Sequence, residues 1–153
     1  MKPQSRPKAT REEVIAKISK AGFKSNDPVY VVGIRGYYLN SMGKAGENDL
    51  GIYDDAIFLI TPSGCVAFNA NTDPSREKSG IAKLCVGVHR YKLGKHGISK
   101  PGGGYPAFRP ATPDESLPVT RHGQKGIHKG IAINMHKGGY TTTASEGCQT
   151  IWP

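Results

Sequence analysis

Long apolar runs and acidic residues are both scarce in this sequence. No stretch approaches the ~20 apolar residues that a membrane-spanning helix needs, so we expect no membrane span. The start of the chain has no apolar segment of the signal-peptide kind, so we expect cytoplasmic synthesis without a signal peptide. Only 12 Asp and Glu oppose 21 Lys and Arg, and the net charge of +9 favours polyanionic partners, such as nucleic acid or an anionic bacterial envelope. A solvated basic surface without a specific partner is equally compatible with that charge.

Cysteine is also sparse, and its three copies differ in their surroundings. Cys65 and Cys85 lie in apolar, strand-like segments, so we expect small buried side chains. A disulfide between them is not expected in a reducing compartment. Cys148 stands apart because Ser, Glu, Gly and Gln surround it, which is unusual for a thiol that only fills a core.

The composition predicts one domain built mainly from strands. The 153 residues suffice for one modest core, and 20 Gly with 11 Pro favour short strands and turns over a helix bundle. We expect a flexible basic tail over residues 1–9 and a single domain over 10–153. Thr10 and Glu13 form a capping box, which predicts one amphipathic helix over 11–21. The apolar pair before Pro153 fits a native chain that continues, or a Trp that packs back onto the core.

Runs of β-branched and aromatic residues predict the strands. They lie at 28–38, 56–61, 65–69, 83–93, 117–122 and 127–136. The second and third of these form the clearest hairpin. Gly and Pro are dense over 94–116, which predicts a long loop able to cover a substrate. The fold class expected is therefore mainly β (α+β) with one N-terminal helix.

The last twenty residues hold the most informative pattern. His136 and Cys148 are twelve positions apart, joined by glycines and small hydroxyl residues. A neighbouring imidazole lowers a thiol pKa from ~8.5 to about 3.5–7.5 and makes the sulfur a nucleophile. We expect His136 to be the general base, with the carbonyl of Gly138 or Gly139 orienting its second nitrogen. Gly147 permits a turn whose N–H groups, with that of Cys148, converge on an oxyanion.

Other chemistries have weaker support in the sequence. Five histidines could supply metal ligands, but no His-Glu-x-x-His or Cys-x-x-Cys pattern is present, so we expect no metal and no cofactor. Asp54 and Asp55 are adjacent and point to opposite faces of a strand, so we expect them to cap a turn or orient a loop rather than to hydrolyse glycosides. No nucleic-acid-binding motif surrounds the aromatic and basic residues at 35–38, so no specific nucleic-acid partner is expected.

The segment Ile133-Asn-Met-His136-Lys-Gly-Gly, followed by Ser145-Glu-Gly-Cys148, resembles the active-site motif of the L,D-transpeptidase (YkuD-like) family. That motif has His-Gly, a short loop, and then Ser/Thr-x-Gly-Cys. The upstream segments Gly36–Ala56 and Tyr91–Gly97 resemble proteins of tailed phages and prophages that are associated with the cell wall. Two positions depart from the family: Glu146 stands where His is common, and Gln149-Thr150 follow the Cys where Arg or Asn is usual in second place.

The resemblance implies a β-sandwich-like catalytic domain in which Cys148 attacks a peptidoglycan stem peptide and forms a thioester. It also implies substrate contacts from a small group of residues: Lys137, Ser145, Glu146 and Gln149. The outcome is left open between hydrolysis by water and transpeptidation to an amine, and the site of action is the bacterial wall, the periplasm or a virion. The alternatives are a non-catalytic wall-binding or virion module, in which Cys148 is inert, and a nucleic-acid-binding protein.

Overall fold

The computed structural model describes residues 2–153, and the fold is mainly β with one helix, as predicted. Helix α1 spans Arg11–Lys20, where Thr10 and Glu13 form the predicted capping box by reciprocal hydrogen bonds. No helix within residues 2–153 is long and apolar enough to cross a membrane. Residues 2–153 contain ten strands: β1 Tyr30–Ile34, β2 Asp55–Thr61, β3 Gly64–Asn71, β4 Ala82–Leu84, β5 Tyr91–His96, β6 Tyr105–Pro110, β7 Ser116–Arg121, β8 His128–Ile131, β9 Met135–Lys137 and β10 Gln149–Ile151.

The strands form two sheets. The larger sheet has seven strands in the order β1-β2-β3-β10-β9-β6-β5, and the smaller has three in the order β4-β7-β8. All described pairings are antiparallel except that of β9 with β10, which is parallel. A parallel pair needs a crossover between its strands. Residues 138–148 supply that crossover, so the chain leaves and re-enters the middle of the larger sheet.

The core consists of two clusters of buried apolar side chains. In the first, Val14 of α1 packs with the buried side chains of β1 and β2, including Phe58 and Ile60. In the second, Leu117 and Val119 of β7 pack with residues that include Ile133. Ile133 belongs to this second cluster, so the chain segment that leads into His136 is anchored in the core.

The β2–β3 hairpin confirms the strands predicted at 56–61 and 65–69, since it pairs Asp55–Thr61 with Gly64–Ala70.

The prediction of one strand over 83–93 and one loop over 94–116 was wrong. The first region holds β4 and the start of β5, and the second holds the rest of β5 and all of β6, joined by residues 97–104. The prolines of β6 had argued against a strand. They are tolerated because β9 pairs only with Ala107 and Phe108, so neither Pro106 nor Pro110 needs an N–H for that side of the ladder.

Asp54 and Asp55 lie at the start of β2 and bind loop backbone, which agrees with the predicted turn-capping or loop-orienting role. Asp55 accepts hydrogen bonds from the N–H of Gly36 at 2.6 Å and of Thr72 at 2.6 Å. Asp54 accepts one from the N–H of Asp49 at 2.9 Å. Both carboxyl groups are buried; Asp55 ties Gly36 and Thr72 to the start of β2, and Asp54 closes the loop that begins at Asp49.

The ends of the chain and the two outlying cysteines have defined contacts. The N–H groups of Lys8 and Ala9 donate to the hydroxyl of Tyr37 at 2.9 and 3.0 Å, so part of the segment predicted to be a flexible tail touches the body. Trp152 meets Tyr140 edge to face, with ring centroids 5.9 Å apart. Cys65 and Cys85 are both free and half-buried, without a disulfide.

Candidate active site

The sheet register explains how a spacing of twelve residues brings His136 beside Cys148. Thr150 of β10 lies opposite His136 of β9, and Cys148 directly precedes β10. Side chains two residues apart in a strand share a face, so Cys148 and Thr150 lie on the same side of the sheet. Cys148 Sγ accordingly lies within 4.8 Å of a ring nitrogen of His136. The predicted proximity of sulfur and imidazole is confirmed.

The His136 ring is held in one tautomer. Its Nδ1 lies 2.7 Å from the carbonyl oxygen of Lys137, and because a carbonyl can only accept, Nδ1 carries the proton and donates it. The Tyr105 hydroxyl lies 3.2 Å from the same nitrogen. Nε2 therefore has the free lone pair, and it is buried without a hydrogen-bond partner among residues 2–153. The ring has the form required of a general base.

The orienting carbonyl belongs to Lys137, which corrects the prediction of Gly138 or Gly139. The Gly139 carbonyl instead accepts from the hydroxyl of Tyr53 at 2.7 Å. Both glycines are needed for close packing: a Cβ at Gly138 would overlap that hydroxyl, and one at Gly139 would lie 2.7 Å from the carbonyl oxygen of Thr142. The His-x-Gly-Gly pattern is therefore a packing requirement of the crossover.

Three residues beside the pair were not assigned to the site from sequence. His96 ends β5 and stacks on His136, with ring centroids 4.0 Å apart at 29°. Tyr105, which faces His96 across the β5–β6 hairpin, meets His136 edge to face at 5.6 Å. Asn134 Nδ2 lies 3.0 Å from His96 Nδ1. His96 and Tyr105 arrive with the β5–β6 hairpin, which the sequence had predicted to be a loop, and the pairing of that hairpin with β9 is non-local.

Burial sets the protonation of the pair, against the sequence expectation of an activated thiolate. Desolvation raises the pKa of the Cys148 thiol, and a hydrogen bond from the Asn134 backbone only partly opposes this. Desolvation likewise lowers the pKa of His136, with a smaller contribution from the positive charge of Lys100. The resting state is therefore a neutral thiol beside a neutral imidazole, not an ion pair.

The turn before Cys148 is braced from within. Ser145 Oγ donates to the Cys148 carbonyl at 2.7 Å and accepts from the Gly147 N–H at 3.1 Å. The Gly147 N–H is thus already used, which corrects its prediction as an oxyanion donor. The N–H of Cys148 has no acceptor among the described residues, so it keeps the predicted role available.

The four predicted substrate contacts divide into buried and exposed pairs. Ser145 is buried in the brace just described, and the buried Gln149 donates through Nε2 to the Gly147 carbonyl at 3.2 Å, so neither is free to meet a substrate. Lys137 and Glu146 are exposed, and Glu146 pairs with Lys78 at 3.7 Å. Glu146 and Lys78 line a surface cleft of about 250 Å³ together with Arg121 and Ile133.

The turn of the β5–β6 hairpin offers a test of how His96 is positioned. Gly104 has φ +75°, and a Cβ there would overlap the backbone carbonyl of His96. The Gly104→Ala variant is expected to lose about 1–2 kcal/mol from the left-handed backbone alone and more from the overlap. Gly103→Ala is the matched control, because Gly103 also has a positive φ (+70°) but open space around it. Equal losses in thermal unfolding of the two variants would contradict this account.

Comparisons with known proteins give no relative for this chain. No protein-family model, no curated protein and no solved structure matches it. The chemistry of the site therefore rests on its own geometry.

Proposed function

We propose that the protein catalyses cysteine-dependent acyl transfer on peptidoglycan stem peptides, as the resemblance to the L,D-transpeptidase motif suggested. The observation that carries the proposal is the approach of Cys148 Sγ to a ring nitrogen of His136 within 4.8 Å. The hydrogen bond from His136 Nδ1 to Lys137 supports it, since it leaves Nε2 as the base. Adjacent nucleophile, base and orienting group are the minimum arrangement for covalent catalysis.

The first half-reaction forms a thioester. Cys148 Sγ attacks the carbonyl carbon of an amide while His136 Nε2 takes the thiol proton. The Cys148 N–H stabilises the developing oxyanion. The C–N bond then breaks, and His136 returns the proton to the leaving amine.

The second half-reaction releases the acyl group. Water gives its proton to His136 Nε2 and attacks the thioester, the C–S bond breaks, and the proton returns to sulfur. An amine acceptor in place of water gives transpeptidation. The site acts at the bacterial wall or from a virion, where the net charge of +9 favours an anionic polymer.

Trapping the acyl-enzyme tests the proposal. The full chain is incubated with purified stem-peptide fragments, and the reaction is quenched in acid. The mass of the intact protein is then measured by mass spectrometry. A mass increase equal to the acyl group should appear on Cys148 and be absent from Cys148→Ala. The variant Cys65→Ala, which removes a thiol distant from His136, should keep the adduct. Absence of both an adduct and fragment release from sacculi would contradict the proposal.

The second candidate is a non-catalytic wall-binding or virion module. The raised pKa of Cys148 and the lowered pKa of His136 favour it, because a neutral thiol is a poor nucleophile until a base acts on it. On this view the chain sediments with sacculi and releases nothing. Binding that persists in Cys148→Ala without any thioester in the unaltered chain would select this candidate.

A further inference from the structure

The second histidine of the site, His96, has no part in the acyl transfer proposed above. One ring nitrogen of His96, one of His136 and Cys148 Sγ all lie within 4.8 Å of one another. Imidazole nitrogen and thiolate sulfur are ligands that Zn²⁺ takes in proteins. Catalytic zinc sites commonly have three protein ligands and keep a fourth position open.

The free lone pair of His136 Nε2 is positioned to bind a metal ion. Its Nε2 is buried without a hydrogen-bond partner in the described part of the chain, and only 5% of the residue is exposed. A buried polar atom without a partner costs about 1–3 kcal/mol. The other nitrogen donates to a backbone carbonyl, which is the outer contact that orients metal-binding histidines.

Asn134 controls the tautomer of His96. Its Nδ2 donates to His96 Nδ1, while its Oδ1 is buried without a partner among residues 2–153. A half-turn of the amide exchanges the two atoms, because the oxygen and nitrogen of an amide are nearly equal in shape. Oδ1 then accepts a hydrogen bond from the N–H of His96 Nδ1, so the ring proton lies on Nδ1 and Nε2 of His96 has a free lone pair. Asn134 can thus support the tautomer that a metal requires.

We propose that His96, His136 and Cys148 bind a divalent transition-metal ion of the Zn²⁺ class, with a fourth position open to solvent. On binding, the S–H bond of Cys148 breaks, a sulfur–metal bond forms and the proton passes to solvent. The positive charges of Lys100 and Arg109 near the rings oppose a dication, so the affinity lies below that of structural zinc sites. The metal takes the sulfur and the ring nitrogen that acyl transfer would use, so it blocks that reaction.

Titration with Co²⁺, which reports its ligands optically, tests the site on the full chain. One equivalent of Co²⁺ should produce a thiolate-to-metal charge-transfer band, and Zn²⁺ should abolish the band by displacement. Loss of an outer-shell partner typically costs 10–100-fold in affinity, so loss of a direct ligand is expected to cost at least about 100-fold. The variants that remove ligands are Cys148→Ser and His96→Ala, with the fold checked by circular dichroism.

Matched controls keep the result specific to this cluster. Cys65→Ser and His122→Ala remove a thiol and an exposed imidazole elsewhere and should leave the band unchanged. No band at millimolar Co²⁺, or the same affinity in both ligand variants, would overturn the proposal. The readout needs no wall substrate, so a failed metal site leaves the acyl-transfer proposal standing. A failed thioester test likewise leaves the metal site standing.

Discussion

Replacing His136 with glutamine is expected to slow fragment release from sacculi by about 10²–10⁴-fold, the usual contribution of a general base. Glutamine keeps a polar group that can donate to the Lys137 carbonyl, but it cannot accept the thiol proton. The loss should appear in the rate of turnover with little change in binding to sacculi. His122→Gln, which alters an exposed histidine outside the site, is the control and should be unaffected.

The pH dependence of the same rate separates a neutral pair from an ion pair. Since burial lowers the pKa of His136, the base stays deprotonated to a lower pH than an ordinary histidine, whose pKa is about 6.5. The midpoint of the acid limb of the pH–rate profile should therefore lie below pH 6.5. This limb should be absent in His136→Gln. Alkylation of Cys148 should be slow in acid and rise on the alkaline side, because burial raises the thiol pKa. Rapid alkylation in mild acid would contradict the neutral pair.

The Asp54→Asn variant is expected to be more stable than the parent chain above neutral pH. Asp54 is 0% exposed, and desolvation, aided by the charge of Asp55, raises its pKa to about 7. The unfolded chain releases this proton near pH 3.9, so between about 3.9 and 7 the folded chain binds more protons. Stability therefore falls as pH rises through that interval, by up to about 4 kcal/mol at 1.36 kcal/mol per pH unit.

Urea unfolding at several pH values measures this effect. Asparagine keeps an oxygen for the Asp49 N–H and never ionises, so the variant should lose the part of the pH dependence that comes from Asp54. Asp27→Asn is the control, because it removes the same charge from an exposed pair with Arg90, worth about 0–1 kcal/mol. Parallel pH curves for Asp54→Asn and the parent chain would contradict the account.

Local capping and turn signals predicted two elements correctly, whereas pairing between distant segments could not be predicted from the sequence. The capping box at Thr10 and the Pro-Ser-Gly turn at 62–64 act within a few residues, so helix α1 and the β2–β3 hairpin were predictable. The β5–β6 hairpin was hidden by its glycines and prolines. Its place beside β9 depends on pairing across about thirty residues, which no short pattern encodes.

The candidate site shows the same division. His136 and Cys148 could be found from their residue types and the small residues between them, but the parallel β9–β10 register that brings them together is non-local. His96 and Tyr105 could not, since they arrive with the hairpin that was read as a loop. The direction of the Cys148 pKa was also missed, because desolvation depends on what packs around the sulfur rather than on the neighbouring residues in sequence.

The contact between Cys148 and His136 depends on a very short parallel pairing, that of β9 with β10. Each of these strands has three residues, and their alignment alone decides that Cys148 meets the imidazole. A displacement of β10 by a single position would turn every one of its side chains over. The Cys148 sulfur would then point to the opposite face of the sheet from the His136 ring. The backbone pairing and the strand content measured by circular dichroism would stay nearly the same. Such a molecule would give the spectrum of a folded protein but would lack the thiol–imidazole pair.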